Sequence, residues 1–174
     1  MAPTLQRPLE DEYVPYYANY ISQVPDGDVI ETLTKQIDEM QTLLRSIPED
    51  RGGYRYAPDK WSIREVIGHL IDSERIFAYR ALRFARGDVN ALAGFDQDEY
   101  VRASGSDRRK LAELAVELEH VRRATIAMLR SFDDLASERR GKANDNEVSV
   151  RAIAYIIAGH ERHHLRILKE RYLG

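Results

Sequence analysis

Residues 149–173 read SVRAIAYIIAGHERHHLRILKERYL, and the periodicity of this stretch decides the fold. At about 100° per residue, with His160 set to zero, Ile153 falls at about 20°, Ile157 at about 60°, Val150 at about 80° and Ile167 at about −20°. These residues make one apolar stripe centred near 30°, the pattern of a helix with one face in a core. His164 lies at about 40° and His160 close to the centre, whereas His163 sits on the shoulder at about −60°. Two imidazoles on adjacent turns of a core-facing stripe are costly to bury without partners. A metal ion suits an i,i+4 pair; hydrogen bonds to carboxylates from other helices are the alternative.

Working outward, the same helical period appears three more times. Ile30, Leu33, Ile37, Met40, Leu44 and Ile47 form a stripe that Pro48 ends, with Gly52, Gly53 and Pro58 in the loop beyond. Ser62 and Glu65 make a capping box, and Trp61 with Val66 a hydrophobic staple. They open a second helix whose stripe runs through Ile63, Val66, Ile67, Leu70, Phe77, Ala81 and Phe84 and stops at Gly87. A third helix carries Leu111, Leu114, Leu118, Val121, Thr125, Leu129 and Phe132. With no strand-like alternation, the fold class is all-α, an antiparallel four-helix bundle over residues 26–174. Residues 1–25, with Pro3, Pro8, Pro15 and Pro25 and the aromatics Tyr13, Tyr16, Tyr17 and Tyr20, read as an arm or short helix anchored on it. The connection 88–105 is the longest and is expected to cover one end; its acidic stretch from Phe95 to Tyr100 reads as a solvated loop or a pocket rim. The polar segment from Ser137 to Glu147 precedes the fourth helix.

Composition narrows the function. In 174 residues, 26 Lys+Arg stand against 29 Asp+Glu, a net charge of −3, which gives no basic footprint for nucleic acid. The longest strongly apolar run, Ala152 to Gly159, is far shorter than the ~20 residues of a membrane span. The N-terminus has no apolar signal core, so a cytoplasmic location is expected. The chain has no cysteine, which excludes disulfides, thiolate metal sites and a Cys nucleophile. A metal must then be held by His and carboxylates.

His69 supplies a third candidate ligand. It follows Val66 by three residues and precedes Leu70, on the shoulder of its helix's buried face. Three imidazoles from two helices leave positions open to water or substrate, the layout of a catalytic site. That ligand set suits Zn²⁺, Ni²⁺, Fe²⁺ or Mn²⁺. His120 lies on the face opposite Leu118 and is expected in solvent. The run from His160 to His164 also matches H-E-x-x-H, in which Glu161 would be the general base of a zinc protease. Such enzymes take a third ligand well downstream, and only residues 165–174 of the same helix remain. Glu161 is kept as a candidate base or support for the ligands, against the plainer reading of an exposed ion-pairing residue.

Trp61-Ser62 at the helix start, Glu65, Gly68-His69-Leu70 and the late His160-x-x-His163-His164 together resemble the DinB/YfiT-like superfamily of metal-binding four-helix bundles, over roughly residues 28–173. The resemblance implies a divalent metal held by His69, His160 and His164. It implies hydrolysis or thiol S-transfer, in which the metal activates water or a low-molecular-weight thiol acting on a small-molecule substrate. Without a cysteine in the chain, the thiol would come as a cosubstrate. Pairing of relatives through helix faces implies a homodimer. Where many relatives continue with Arg-Gly-Gln, this chain has Leu165-Arg166-Ile167, which leaves subgroup and substrate open. A non-catalytic metal-binding or stress-related structural bundle is the alternative.

Overall fold

A computed structural model of the chain describes residues 5–174; Pro3 lies outside the described residues. The bundle is built from α2 (Val29–Ser46), α3 (Ile63–Ala85), α5 (Leu111–Leu129) and α7 (Val150–Ile167). Shorter elements are α1 (Pro15–Ile21), α4 (Gln97–Ser104), α6 (Asp134–Glu138) and a hairpin of β1 (Arg140–Ala143) with β2 (Asn146–Ser149). Helix starts follow local chemistry. Asp28 accepts from Ile30 N at 2.9 Å and Ser149 from Ala152 N at 3.0 Å. At α3, Ser62 N donates to Glu65 Oε2 at 2.9 Å and Glu65 N to Ser62 Oγ at 3.1 Å, the capping box read from the sequence.

α2 packs on α5 and α7, and α3 packs on α5 and α7. One apolar cluster joins the start of α2, the end of α3, the end of α5 and the start of α7. The other joins the opposite ends of the same four helices. The antiparallel expectation therefore holds for α2 with α5 and for α3 with α7, while α3 with α5 and α2 with α7 run parallel. Between the two clusters lies a polar layer of Gln36, Glu74, Arg122 and Glu161, all buried. Among the described residues, no helix is long and apolar enough to cross a membrane.

Two stretches differ from the expectation of plain loops. The polar segment before α7 forms the hairpin, with Arg140 opposite Ser149 and Ala143 opposite Asn146. Its turn residues Asn144 and Asp145 have φ of 50° and 61°, as a two-residue hairpin turn requires. The long connection contains α4 and is tied to the hairpin, Leu92 N donating to Lys142 O and Asn144 N to Leu92 O, both at 2.9 Å. The N-terminal segment packs along α7 through α1. Tyr17 meets Phe77 edge-on and Tyr20 meets both His160 and His163, as expected of anchors, but Tyr16 is 65% exposed. The firmer ties are buried Leu5, Ile21 and Val24 and the carboxylate of Glu12, which accepts from Ser149 Oγ at 2.6 Å and Arg151 Nε at 2.8 Å.

Candidate metal centre

α3 packs on α7, and His69 projects from the face of α3 that meets it. Nε2 of His69 lies 3.0 Å from Nε2 of His160, and Nε2 of His164 lies 3.2 Å from the same atom. One ligand atom from each of the three residues falls within 4.8 Å of the others. His69 and His160 are buried and His164 is partly buried. Trp61 packs on His69, its ring centre 4.8 Å away.

Burial lowers the pKa of His69 to about 4. Burial, then the neighbouring imidazoles, lowers His164 to about 3 and His160 well below its ordinary value. All three rings are neutral near pH 7, with lone pairs available. The alternative of core histidines satisfied by carboxylates does not hold among the described residues: these rings contact one another and Ser73, whose Oγ is 3.4 Å from Nδ1 of His69. One Nε2 with a single hydrogen or lone pair in the ring plane makes one good hydrogen bond, so the two contacts of His160 are not both satisfied by hydrogen bonding. Three nitrogens around a cation at metal–nitrogen distances of ~2.0–2.1 Å sit about 2.9–3.4 Å apart in octahedral or tetrahedral arrangements. The observed 3.0 and 3.2 Å to His160 fall in that range, and the third pair, His69 with His164, lies within 4.8 Å. The donor set fits a divalent ion.

A cavity of about 330 Å³ reaches His69 and His160 and is walled by Tyr17, Tyr20, Phe77 and Arg80, among others. A surface depression of about 330 Å³ meets His164 from another side, between Trp61 and Tyr172. The histidines thus stand where two openings approach them.

Glu161 is placed otherwise than an exposed ion-pairing residue. It is 3% exposed, and its Oε2 accepts from Arg122 Nη2 at 2.7 Å. Glu74 takes the same guanidinium in a fork, with bonds of 2.8 and 2.9 Å. Oε1 of Glu161 is buried without a partner, and burial pushes its carboxyl up to about 7 despite Arg122. Glu161 does not line the large cavity. It sits behind His160, where the two residues border a small void. His163 stacks edge-on against Tyr20 outside the three-nitrogen cluster, and His120 is exposed, as expected. Sequence reading missed Glu74, Arg80 and Arg122. Glu74 occupies the turn that the α3 stripe skips between Leu70 and Phe77, whereas Arg80 and Arg122 stand directly beside the stripe residues Ala81 and Val121.

The fold is a four-helix bundle, and its three-histidine cluster is one that could hold a metal ion. A model described as the DinB superfamily matches residues 32–168, and the chain belongs to that superfamily. It is similar to a protein of Oceanobacillus iheyensis named "Putative metal-dependent hydrolase", with 24% identity over 157 residues, 84% of this chain and 89% of that protein. Among solved structures it is similar to YfiT from Bacillus subtilis, described as "a probable metal-dependent hydrolase with an unusual four-helix bundle topology". That match has a TM-score of 0.76 at 16% identity and covers 85% of this chain and 87% of the other.

Proposed function

We propose that the chain is a metal-dependent enzyme of the hydrolase type, with His69, His160 and His164 holding one divalent ion at the floor of the cavity. The observation that carries this reading is the convergence of three neutral imidazole nitrogens, without carboxylate partners, on a space open to a small molecule. A divalent ion there supplies Lewis acidity and lowers the pKa of water or a thiol to near neutrality. Ser73 holds the far nitrogen of His69 and so orients that ring. Tyr20 packs on His160 and Trp61 on His69, limiting water around the ligands. The names of the relatives favour hydrolysis. The second opening at His164 favours transfer to a thiol, because it admits a cosubstrate on a path separate from the large cavity.

Elemental analysis of tag-free protein tests the site. Near-stoichiometric metal in the wild type and its loss in His160→Ala are expected. Emission of Trp61, the one tryptophan, should be quenched by Co²⁺ or Ni²⁺ in the wild type alone. No metal in either protein, even after incubation with Zn²⁺, Ni²⁺ and Mn²⁺, overturns the reading. Model esters, amides and alkylating electrophiles assayed with and without a low-molecular-weight thiol then separate the reactions: turnover only with thiol removes hydrolysis.

A further inference from the structure

Among the described residues two arginines are buried, Arg122 and Arg80. Arg122 is matched by the carboxylates of Glu74 and Glu161. Arg80 is 5% exposed and has no such match. Its Nη2 donates to the Ala93 carbonyl at 2.9 Å, and its guanidinium carbon lies 5.9 Å from the centre of the Phe95 ring. An arginine has five N–H donors, and this contact uses one. None of the Arg80 nitrogens is sealed in protein without a partner, and Arg80 lines the large cavity and a small adjoining pocket bordered by Glu147, whose carboxylate pairs with Arg140 at 3.1 Å and not with Arg80. Among the described residues no Asp or Glu lines the large cavity. A buried guanidinium without a counter-ion is costly, and it stays charged at any pH the protein meets.

The placement relative to the histidines is regular. Arg80 follows His69 by eleven residues on α3, about three turns and about 20° of rotation, so both project from one face of the helix some 16 Å apart along its axis. Between them stand Phe77 and the tyrosines of α1, and the amides of Asn144 and Asn146 join the rim. One end of the cavity therefore offers nitrogen lone pairs, the middle aromatic surface, and the other end an unmatched cation with amide groups beside it.

We propose that Arg80 is the anion-recognising end of this cavity, so that the molecule it takes is small, with an apolar or aromatic middle and a carboxylate at the end remote from the histidines. A carboxylate matches the planar fork of the guanidinium. The inference rests on the reading of the histidine cluster as the reacting end only for the orientation of the ligand; the anion site itself is testable without metal.

The probes are phenylalkanoic acids from 3-phenylpropionate to 6-phenylhexanoate, each against its primary amide, with binding followed by calorimetry or ligand-observed NMR. In the wild type the best acid should bind roughly 10- to 100-fold more tightly than its amide, the range for a hydrogen bond to a charged group. Arg80→Gln should bring that ratio to about one, while Arg80→Lys retains part of it. Asn146→Asp, which puts a carboxylate into the wall that Asn146 shares with Arg80, should lower the ratio without removing the arginine, a second route if the glutamine variant fails to fold. His160→Ala should keep the ratio while losing metal. A ratio near one in the wild type, binding by none of the acids, or an undiminished ratio in folded Arg80→Gln overturns the proposal. Loss of the ratio in His160→Ala with retention in Arg80→Gln would place the carboxylate on the metal and overturn it too. Preserved discrimination in a protein that holds no metal supports the anion site and refutes the metal reading separately.

Discussion

Replacing Glu161 by glutamine should change how stability depends on pH in a direction and size set by the polar layer. Glu161 is fully enclosed, shares Arg122 with Glu74, and leaves Oε1 without a partner. One guanidinium facing two carboxylates balances its charge only if one carboxyl holds a proton. Accordingly, burial pushes the Glu161 carboxyl from 4.5 up to about 7, against the pull of Arg122. A carboxyl whose pKa is raised on folding contributes stability that is fully present below about pH 4.5 and lost as pH rises through about 7. At about 1.36 kcal/mol per pKa unit, a rise of roughly two and a half units corresponds to about 3 kcal/mol. Glutamine keeps the shape, still offers a carbonyl to Arg122 and does not titrate. Urea unfolding of chelator-treated wild type and Glu161→Gln, compared from pH 4.5 to 7.5, should show the variant gaining on the wild type by about 2–3 kcal/mol across that window. The lowered histidine pKa values make both proteins less stable as pH falls, and that common term cancels in the difference. A difference constant within about 0.5 kcal/mol would mean that Glu161 ionises in the core like an ordinary carboxylate, and the account of the layer would be wrong.

Glu12 titrates in the opposite sense. Burial alone would raise its pKa, but hydrogen bonds from Arg151, Ser149 and the Leu9 N–H outweigh that and hold it down to about 2. Its contribution is present above about pH 4.5 and disappears as pH falls toward 2, so Glu12→Ala should cost about 2–3 kcal/mol at pH 7 and little at pH 2.5, measured by thermal melts. Gly159→Ala would place a methyl 2.0 Å from the carbonyl oxygen of Tyr20. Because that neighbour is backbone, α1 must move away, and a loss of about 1–3 kcal/mol in urea unfolding is expected despite the helix-favouring substitution.

The stripes of Ile, Leu and Val carried the four long helices, and Ser62 with Glu65 marked the start of α3. The placement of Glu161 was not legible for a definite reason. The helical wheel put it about 70° from the centre of the stripe, which means solvent for a helix with one covered face. α7 has more than one, since α1 lies along it as well as α2 and α3, and every residue from Ala152 to Glu161 is buried. Glu74 was visible only as a gap in an apolar stripe and Arg122 only as a charge beside one, and neither says which charge on another helix it meets. The hairpin had a turn signal in Asn144-Asp145, but four-residue strands of mostly polar composition carry too little alternation to register. Convergence of His69 with the α7 pair was readable from helix faces; the part of the cavity wall from Val14 to Tyr20 and from Gly94 to Gln97, with Asn144 and Asn146, was not, because it comes from segments without long apolar stripes.

The direction of α5 explains why those walls exist. α3 ends and α5 begins at opposite ends of the bundle, yet the two helices are parallel neighbours, so residues 86–110 must return along its length. With α5 19 residues long, that path is about 28 Å. On the way the chain pairs with the hairpin at Leu92, contributes Gly94, Phe95 and Gln97 to the cavity, and reaches the start of α3. There Ser106 packs so closely on Gly68 that a methyl group on Gly68 would lie 2.1 Å from its Oγ, and Asp107 accepts a hydrogen bond from the capping Ser62. The return segment is therefore clamped one residue from His69 at one end and laid beside Arg80 at the other. A plain up-and-down bundle joins successive helices by short loops at its ends. Here the crossover makes a side wall, and the open cavity that reaches His69 and His160 follows from the order in which the helices are connected.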